Sequence, residues 1–177
     1  MKKNDSLKSI VVILCICLII AVAMAVINNV TAPKIEEANR QAEQEALRIV
    51  LKDATEFEKV EGSYPESVTA IYRDTGDQGY VAMLNAKGYD SSNPIKIAVG
   101  FDMEGTILQC HVISCSGETS GIGTKVADES FLNTFVGKDA SLSEVDAISG
   151  ATISSSAVID AVKDACAAVQ LAKEAQS

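Results

Sequence analysis

Residues 79–102 read GYVAMLNAKGYDSSNPIKIAVGFD, two apolar runs separated by a stretch of Asp, Ser, Asn and Pro. Short runs bounded by such turn-forming residues predict strands. Comparable runs lie on either side, VTAIYR at 68–73 and TILQCHVISC at 106–115. The segment Asp102–Gly105 predicts a hairpin turn before the last of them. The centre of the chain therefore predicts an antiparallel sheet.

Helical patterns follow the strands. Residues 129–136 (ESFLNTFV) predict a short helix, and residues 155–175 predict a longer one. The expected apolar face of the longer helix consists of Val158, Ala161, Val162, Cys166, Val169 and Leu171. Strands in series followed by helices are typical of an α+β fold, an antiparallel sheet with packed helices, and not of alternating βαβ units.

Residues 10–27, IVVILCICLIIAVAMAVI, contain no charged side chain and predict one transmembrane helix. A helix of this length rises about 27 Å, close to the roughly 30 Å hydrocarbon core of a bilayer. A cleaved signal peptide is the alternative, because Ala23-Met24-Ala25 resembles a cleavage site. The apolar run continues past that site and is longer than the usual signal-peptide core, which favours a retained anchor.

The flanking charges predict the orientation of this segment. Lys2, Lys3 and Lys8 precede it, whereas acidic residues predominate after it, so the N-terminus is expected inside the cell. The Ala-, Glu- and Gln-rich stretch after Pro33 predicts a stalk helix. We therefore expect a cytoplasmic N-terminus (1–9), a transmembrane helix (10–27) in the cytoplasmic membrane, a stalk helix and linker (28–63) and an extracytoplasmic domain (64–177).

Charge and cysteine content argue against several kinds of function. The chain has 15 basic and 24 acidic residues, and three of the lysines precede the membrane segment. Nucleic acids need a basic surface on their partners, so we expect no nucleic-acid partner. The cysteines form no Cys-x-x-Cys pair, and with a single histidine they predict no metal centre of the zinc or iron–sulfur type.

Cys110, Cys115 and Cys166 lie in the expected domain and are interpreted as small buried residues. A disulfide between Cys110 and Cys115 stays open as an alternative. His111 has apolar neighbours in a predicted strand, and we assign it no role.

The SGAT segment, which we define as residues 146–156 (DAISGATISSS), is rich in small residues and leads into the long helix. Small residues let a ligand approach the backbone, and a helix N-terminus offers unpaired N–H groups to a phosphate. Composition alone favours an ordinary helix cap made by Ser154, Ser155 or Ser156, with nothing bound.

The order of the residues in the SGAT segment favours a phosphate-bearing ligand over an ordinary helix cap. DAISGAT resembles the flavinylation motif found in the G subunit of the Rnf electron-transport complex and in the C subunit of the Na+-translocating NADH:quinone oxidoreductase. In these families a magnesium-dependent flavin transferase joins FMN through its phosphate to the threonine of S-G-A-T. The resemblance implies covalent FMN on Thr152, with Asp146 opening the recognised motif and Ser149, Gly150 and Ala151 forming its core.

A second segment, the glycine loop (residues 114–125, SCSGETSGIGTK), resembles the S-E-T-P-G-L-G loop of the same families. Ser120 stands where the families have proline, and Ile122 where they have leucine. Without the SGAT segment, this stretch would be interpreted as a flexible connector. The resemblance implies that four of its residues line the flavin: Glu118, Thr119, Gly121 and Gly123.

Strand signatures such as Gly79-Tyr80-Val81 and Gly88-Tyr89 also match, so that the resemblance covers nearly the whole chain. It implies an electron-transfer component of a membrane-bound Rnf-type complex that couples ferredoxin and NAD+ to ion transport. Its implied partners are the other subunits, the membrane and, during maturation, the flavin transferase. Such a component would not be a complete enzyme alone. The alternatives are the C subunit of the quinone reductase, a free-standing flavin-bearing electron carrier, and an anchored scaffold without a cofactor.

Overall fold

The computed structural model describes the backbone of residues 3–142 and 144–176. Its first helix, α1 (Lys3–Val50), includes the predicted membrane segment and most of the predicted stalk. Within residues 8–50 this helix is long and apolar enough to cross a membrane, and its most apolar stretch is not buried against other residues. The helix therefore indicates a single-pass membrane protein.

Helix α1 is continuous through Pro33. The sequence predicts a stalk helix beginning after Thr31-Ala32-Pro33, but the structure shows no break there. Proline inside a helix removes one backbone hydrogen bond and costs about 3 kcal/mol. Long stretches of good helix-forming residues lie on both sides of it.

The chain divides into two units, and the second unit begins at Ala42. In the described part of this unit, five strands form one antiparallel sheet in the order of the sequence. The strands are β1 (Phe57–Val60), β2 (Val68–Asp74), β3 (Tyr80–Ala86), β4 (Ile95–Phe101) and β5 (Ile107–Ser114). Strands β2 to β5 confirm the four runs predicted from the sequence. Strand β1 is not predicted, because its short sequence FEKV has no apolar alternation.

The predicted hairpin turn joins β4 to β5. Asp102 donates its N–H to the carbonyl of Thr106 at 3.0 Å. Its Oδ1 accepts the N–H groups of Glu104, Gly105 and Thr106 at 2.8 to 2.9 Å. Gly105 has a φ of +97°, a conformation that glycine adopts without strain. The turn therefore forms as the sequence predicts.

The helices after the sheet are a 3-10 helix (Gly123–Ala127), α2 (Glu129–Leu132) and α3 (Thr152–Gln176). Helix α2 is shorter than predicted, because the N–H groups of residues 134–136 bond three residues back, as in tight turns. Helix α3 starts three residues before the predicted Ser155. Its predicted apolar face is buried except for Leu171, which is 49% exposed. At 100° per residue, Leu171 lies on the opposite side from Val162 and Val169.

Both faces of the sheet are covered. Leu84 and Val99 belong to the main core, to which α3 contributes residues such as Val162. Val81 and Met83, which alternate with Ala82 and Leu84 along β3, pack with the end of α1 on the opposite face. This explains why β3 is apolar at nearly every position. The last turns of α1, including the buried residues Ala46, Leu47, Val50 and Leu51, thus belong to the folded unit.

The cysteines of the folded unit are free thiols. Cys110 and Cys166 are buried, as predicted, whereas Cys115 is only half-buried. Burial, with a contribution from Cys166, raises the pKa of Cys110 to about 12. Burial also raises the pKa of Cys166 to about 11. Neither thiol is expected to ionise near neutral pH.

Alkylation of the native protein should therefore spare Cys110 and Cys166. At pH 8 we expect both to stay unmodified over a period in which Cys115 reacts slowly, because only the thiolate is reactive. Peptide mass mapping after iodoacetamide treatment, with and without denaturant, measures this. Rapid labelling of Cys166 in the native protein would contradict its burial.

Candidate functional site

The SGAT segment forms a tight turn immediately before α3. The carbonyl of Ile148 accepts the N–H of Ala151 at 3.0 Å, which closes a four-residue turn. Gly150 occupies the third position of this turn with a φ of +82°. A type II turn requires a positive φ there, and glycine meets that requirement without strain. The turn therefore places Thr152 as the first residue of α3.

Ser155 holds this turn against the helix. Its Oγ accepts the N–H of Ile148 at 3.0 Å and donates to the carbonyl of Ala151 at 2.9 Å. The backbone N–H of Ser155 also donates to Ala151 at 2.9 Å. Ser155 is thus not the helix cap that composition alone would allow. Its hydroxyl stabilises the turn from within the helix.

Thr152 is exposed at the N-terminus of α3. The N–H groups in the first turn of any α-helix have no partner within the helix, and the positive end of the helix dipole lies there. A phosphate on or beside the Thr152 hydroxyl would meet these N–H groups. The local geometry therefore fits an anionic ligand, as the sequence indicates.

The glycine loop follows β5 and folds back on itself. The carbonyl of Thr119 accepts the N–H groups of Ile122 and Thr124 at 3.1 and 3.3 Å. The N–H of Gly121, which has a φ of +73°, donates to Thr124 Oγ1 at 2.9 Å. These bonds give the loop a defined shape, although Ser120 stands at the position of the families' proline.

Glu118 joins the glycine loop to two other segments. Its side chain is buried, and Oε1 accepts the N–H of Tyr89 at 2.9 Å. Its Oε2 accepts the hydroxyl of Ser154, in the first turn of α3. The loop between β3 and β4, the glycine loop and the start of α3 therefore meet at one carboxylate.

A cavity of about 340 Å³ opens where these segments meet. This volume is within the range of roughly 300–1,000 Å³ that is usual for small-molecule sites. The cavity is lined by Tyr89, Glu118, Thr119, Ile122, Gly123, Gly150, Ala151, Thr152, Ile153 and Ser154. The two segments singled out in the sequence thus share one cavity with Tyr89.

Comparison with known proteins agrees with this geometry. The FMN-binding domain family matches residues 88–167, which include the whole cavity lining. The chain is 30% identical over 173 residues to the G subunit of the ion-translocating oxidoreductase complex of Methanosarcina acetivorans, covering 89% of this chain and 91% of the relative.

The chain belongs to the G-subunit family of ion-translocating oxidoreductase complexes. It is also 30% identical over 171 residues to the G subunit of the Na(+)-translocating ferredoxin:NAD(+) oxidoreductase complex of Acetobacterium woodii, covering 80% of this chain and 81% of that protein. The G subunit of the proton-translocating complex of Clostridium ljungdahlii is 27% identical over 159 residues, covering 84% and 83%. These similarities confirm the resemblance found in the sequence and favour the G subunit over the C subunit of the quinone reductase.

In this member of the G-subunit family, six of the nine residues expected at the site line the cavity. They are Glu118, Thr119, Gly123, Gly150, Ala151 and Thr152. Gly121 supports the loop through its bond to Thr124 and is not among the lining residues. Asp146 and Ser149 are exposed residues of the SGAT segment outside the cavity.

Four lining residues of this G-family chain are not expected from its sequence. Tyr89, Ile122 and Ile153 are large, exposed side chains of the cavity, and Ser154 is buried beside Glu118. Exposed apolar side chains are common singly, but three around one cavity indicate a surface for an apolar ligand. In the sequence, Gly88-Tyr89 matches the families only as a strand signature. That match does not indicate that Tyr89 belongs to the site.

The chemistry of the cavity lining suits FMN. The apolar side chains offer a surface to a flavin ring, and the exposed Thr152 hydroxyl lies at a helix N-terminus, where a phosphate is favoured. A Cβ atom on Gly123 would lie 2.6 Å from Glu118 Oε2 and 2.9 Å from Ser154 Oγ, so a side chain there would displace these two groups. The residues present therefore fit the cofactor of the FMN-binding domain family.

Proposed function

We propose that this chain is the flavin-carrying electron-transfer component of a membrane-bound, ion-translocating ferredoxin:NAD+ oxidoreductase, with FMN attached to Thr152 as a phosphoester. The observation that carries the proposal is the position of Thr152. It is an exposed hydroxyl at the start of α3, on the wall of a cavity within the segment that matches the FMN-binding domain family. The names of two relatives support the assignment to this kind of complex, since both are G subunits of ion-translocating ferredoxin:NAD(+) oxidoreductases.

Bound FMN would supply the electron-transfer chemistry, which no amino-acid side chain of the cavity provides. The chain would contribute a tether at Thr152 and an apolar surface made by Tyr89, Ile122 and Ile153. Covalent attachment prevents loss of the cofactor from a compartment outside the cell. Because these three side chains are largely exposed, an electron-transfer partner could approach the cofactor closely.

Forming the ester requires an activated phosphate. Free FMN would have to lose hydroxide from its phosphate when the threonine oxygen attacks, and hydroxide is a poor leaving group. We propose that the donor is a flavin dinucleotide, presented by a flavin transferase. Thr152 Oγ1 would bond to the flavin-side phosphorus and lose its proton, while the nucleoside monophosphate would leave. Asp146 and Ser149, exposed next to the turn, would be contacted by the transferase.

The proposed topology follows the charge distribution. Residues 1–9 would lie in the cytoplasm, 10–27 would span the membrane, and residues from 28 onward would be extracytoplasmic. Of the predicted stalk and linker (28–63), the part from Ala42, which includes strand β1, belongs to the folded unit. The lysines before the membrane segment support this orientation. The end of α1 that packs on the sheet would then share the compartment of the flavin domain. The other subunits of the complex would be its partners.

Co-expression of the full chain with a flavin transferase tests the proposal. We expect yellow protein whose fluorescence survives denaturing electrophoresis and whose mass rises by one FMN less one water. Attachment should occur when the transferase is exported, and not when it is kept in the cytoplasm. Colourless protein with an active exported transferase would support a scaffold without a cofactor, and labelling only by the cytoplasmic enzyme would reverse the topology.

A further inference from the structure

Glu118 is a buried carboxylate on the wall of the cavity. Only 7% of its surface is exposed, and a buried charge is costly unless hydrogen bonds satisfy it. Among the described residues, Oε1 accepts the N–H of Tyr89 and Oε2 accepts the hydroxyl of Ser154. The two donors come from different parts of the chain, so the carboxylate connects them.

The surrounding backbone leaves room for this carboxylate. A Cβ atom on Gly88 would lie 2.1 Å from Glu118 Oε1, and one on Gly123 would lie 2.6 Å from Oε2. A Cβ atom is essentially never found this close to a non-bonded atom, so a side chain at either glycine would displace the Glu118 carboxylate. Glycines at these two positions thus allow the carboxylate to reach Tyr89 and Ser154 together.

Tyr89 follows Gly88 directly, and its side chain is 70% exposed on the cavity. The position of this ring depends on the backbone that carries it, and Glu118 accepts the backbone N–H of Tyr89. Aromatic rings pack favourably against other flat aromatic systems. Tyr89 and Thr152 line the same cavity, so the Tyr89 ring would be close to a flavin attached at Thr152.

We propose that Glu118 is a positioning residue that fixes Tyr89 to the first turn of α3, so that the Tyr89 ring packs against the flavin. This inference rests on the proposed function, because it needs a flavin on Thr152. Glu118 acts through Tyr89 and Ser154 and takes no part in the redox chemistry. Removing the side chain would free the loop between β3 and β4 from the helix.

Flavin fluorescence in the full-length, flavinylated chain tests this, because a packed tyrosine quenches it. Intensities are normalised to the covalent FMN measured by mass. We expect Tyr89→Leu and Glu118→Ala each to raise the fluorescence per flavin several-fold. The double variant should rise no further, since both changes remove the same packing. Glu118→Gln should stay near the wild-type value, because its amide can accept from Tyr89 and donate to Ser154.

Asp74 provides a matched control. It is a fully buried carboxylate whose bonds go to the N–H groups of Thr55, Glu56 and Gln78, outside the cavity. Asp74→Ala should lower stability without changing the fluorescence per flavin. If Glu118→Ala proves too unstable to purify, Ser154→Ala, which removes one of the two anchors, should give a smaller rise.

The outcomes separate the two proposals. Wild-type protein without covalent flavin would overturn the proposed function. If the wild type is flavinylated but Glu118→Ala, or Ser154→Ala in its place, has the same fluorescence per flavin as the wild type, the positioning role alone is overturned. A double variant whose fluorescence rises by the sum of the two single effects would also overturn the positioning role, because the two residues would then act independently.

Discussion

Replacing Thr152 by alanine is expected to abolish covalent flavin attachment while leaving the fold intact. The hydroxyl of Thr152 is the proposed attachment atom, and alanine removes it. The side chain is exposed at the first position of α3, and alanine is the best helix former. The change in the free energy of unfolding should therefore be within about 0.5 kcal/mol. Denaturing gel fluorescence and intact mass, after co-expression with the transferase, should show background signal only.

Two further variants define the specificity of this result. Thr152→Ser keeps a hydroxyl and should retain the FMN mass. Ser149→Ala removes an exposed hydroxyl of the same turn that the transferase would contact, so it should slow labelling while the FMN mass that does appear still maps to Thr152. A persistent FMN mass in Thr152→Ala would place the bond on another residue and contradict the assignment.

The second large effect concerns the core. Phe135 is fully buried and packs edge-on against Phe131, with ring centroids 5.2 Å apart and an interplanar angle of 86°. Phe135→Ala should lower the free energy of unfolding by about 3–5 kcal/mol, because it removes a large apolar side chain and leaves a cavity. Denaturant titration of the full-length chain in detergent, followed by circular dichroism, measures this loss.

Val136, next to Phe135 but 43% exposed, is the matched control. Val136→Ala should change the free energy of unfolding by less than about 1 kcal/mol, because little apolar surface is lost there. Equal losses for the two variants would mean that this turn is not packed as described.

The sheet can be predicted because its strands carry their own signals. Four apolar runs end at turn residues, and each forms a strand at nearly the predicted bounds. Strand β1 forms by pairing with β2, and its own residues give no such signal. The sequence places the start of α3 too late, because Ser155 resembles a possible cap. In the structure Ser155 lies within the first turn of α3, and its hydroxyl is hydrogen-bonded to Ile148 and Ala151 of the preceding β-turn.

The site can be predicted only in part, for a different reason. Thr152 and the glycine loop are found through an ordered motif, which sequence alone can reveal. Tyr89 and Ser154 become site residues only because Glu118 brings distant segments together. A side-chain hydrogen bond between residues 36 positions apart has no periodic pattern in the sequence.

The sequential strand order has a consequence for how the molecule forms. Each strand pairs with its neighbour in the chain, so the sheet requires only short loop closures and should assemble quickly. Helix α3 packs mainly on β2 and β3, far earlier in the chain, and its docking closes the longest loops. The cavity around Thr152 should therefore be completed last. A transferase arriving before that step would meet the SGAT segment as flexible chain, and one arriving afterwards would meet a finished turn.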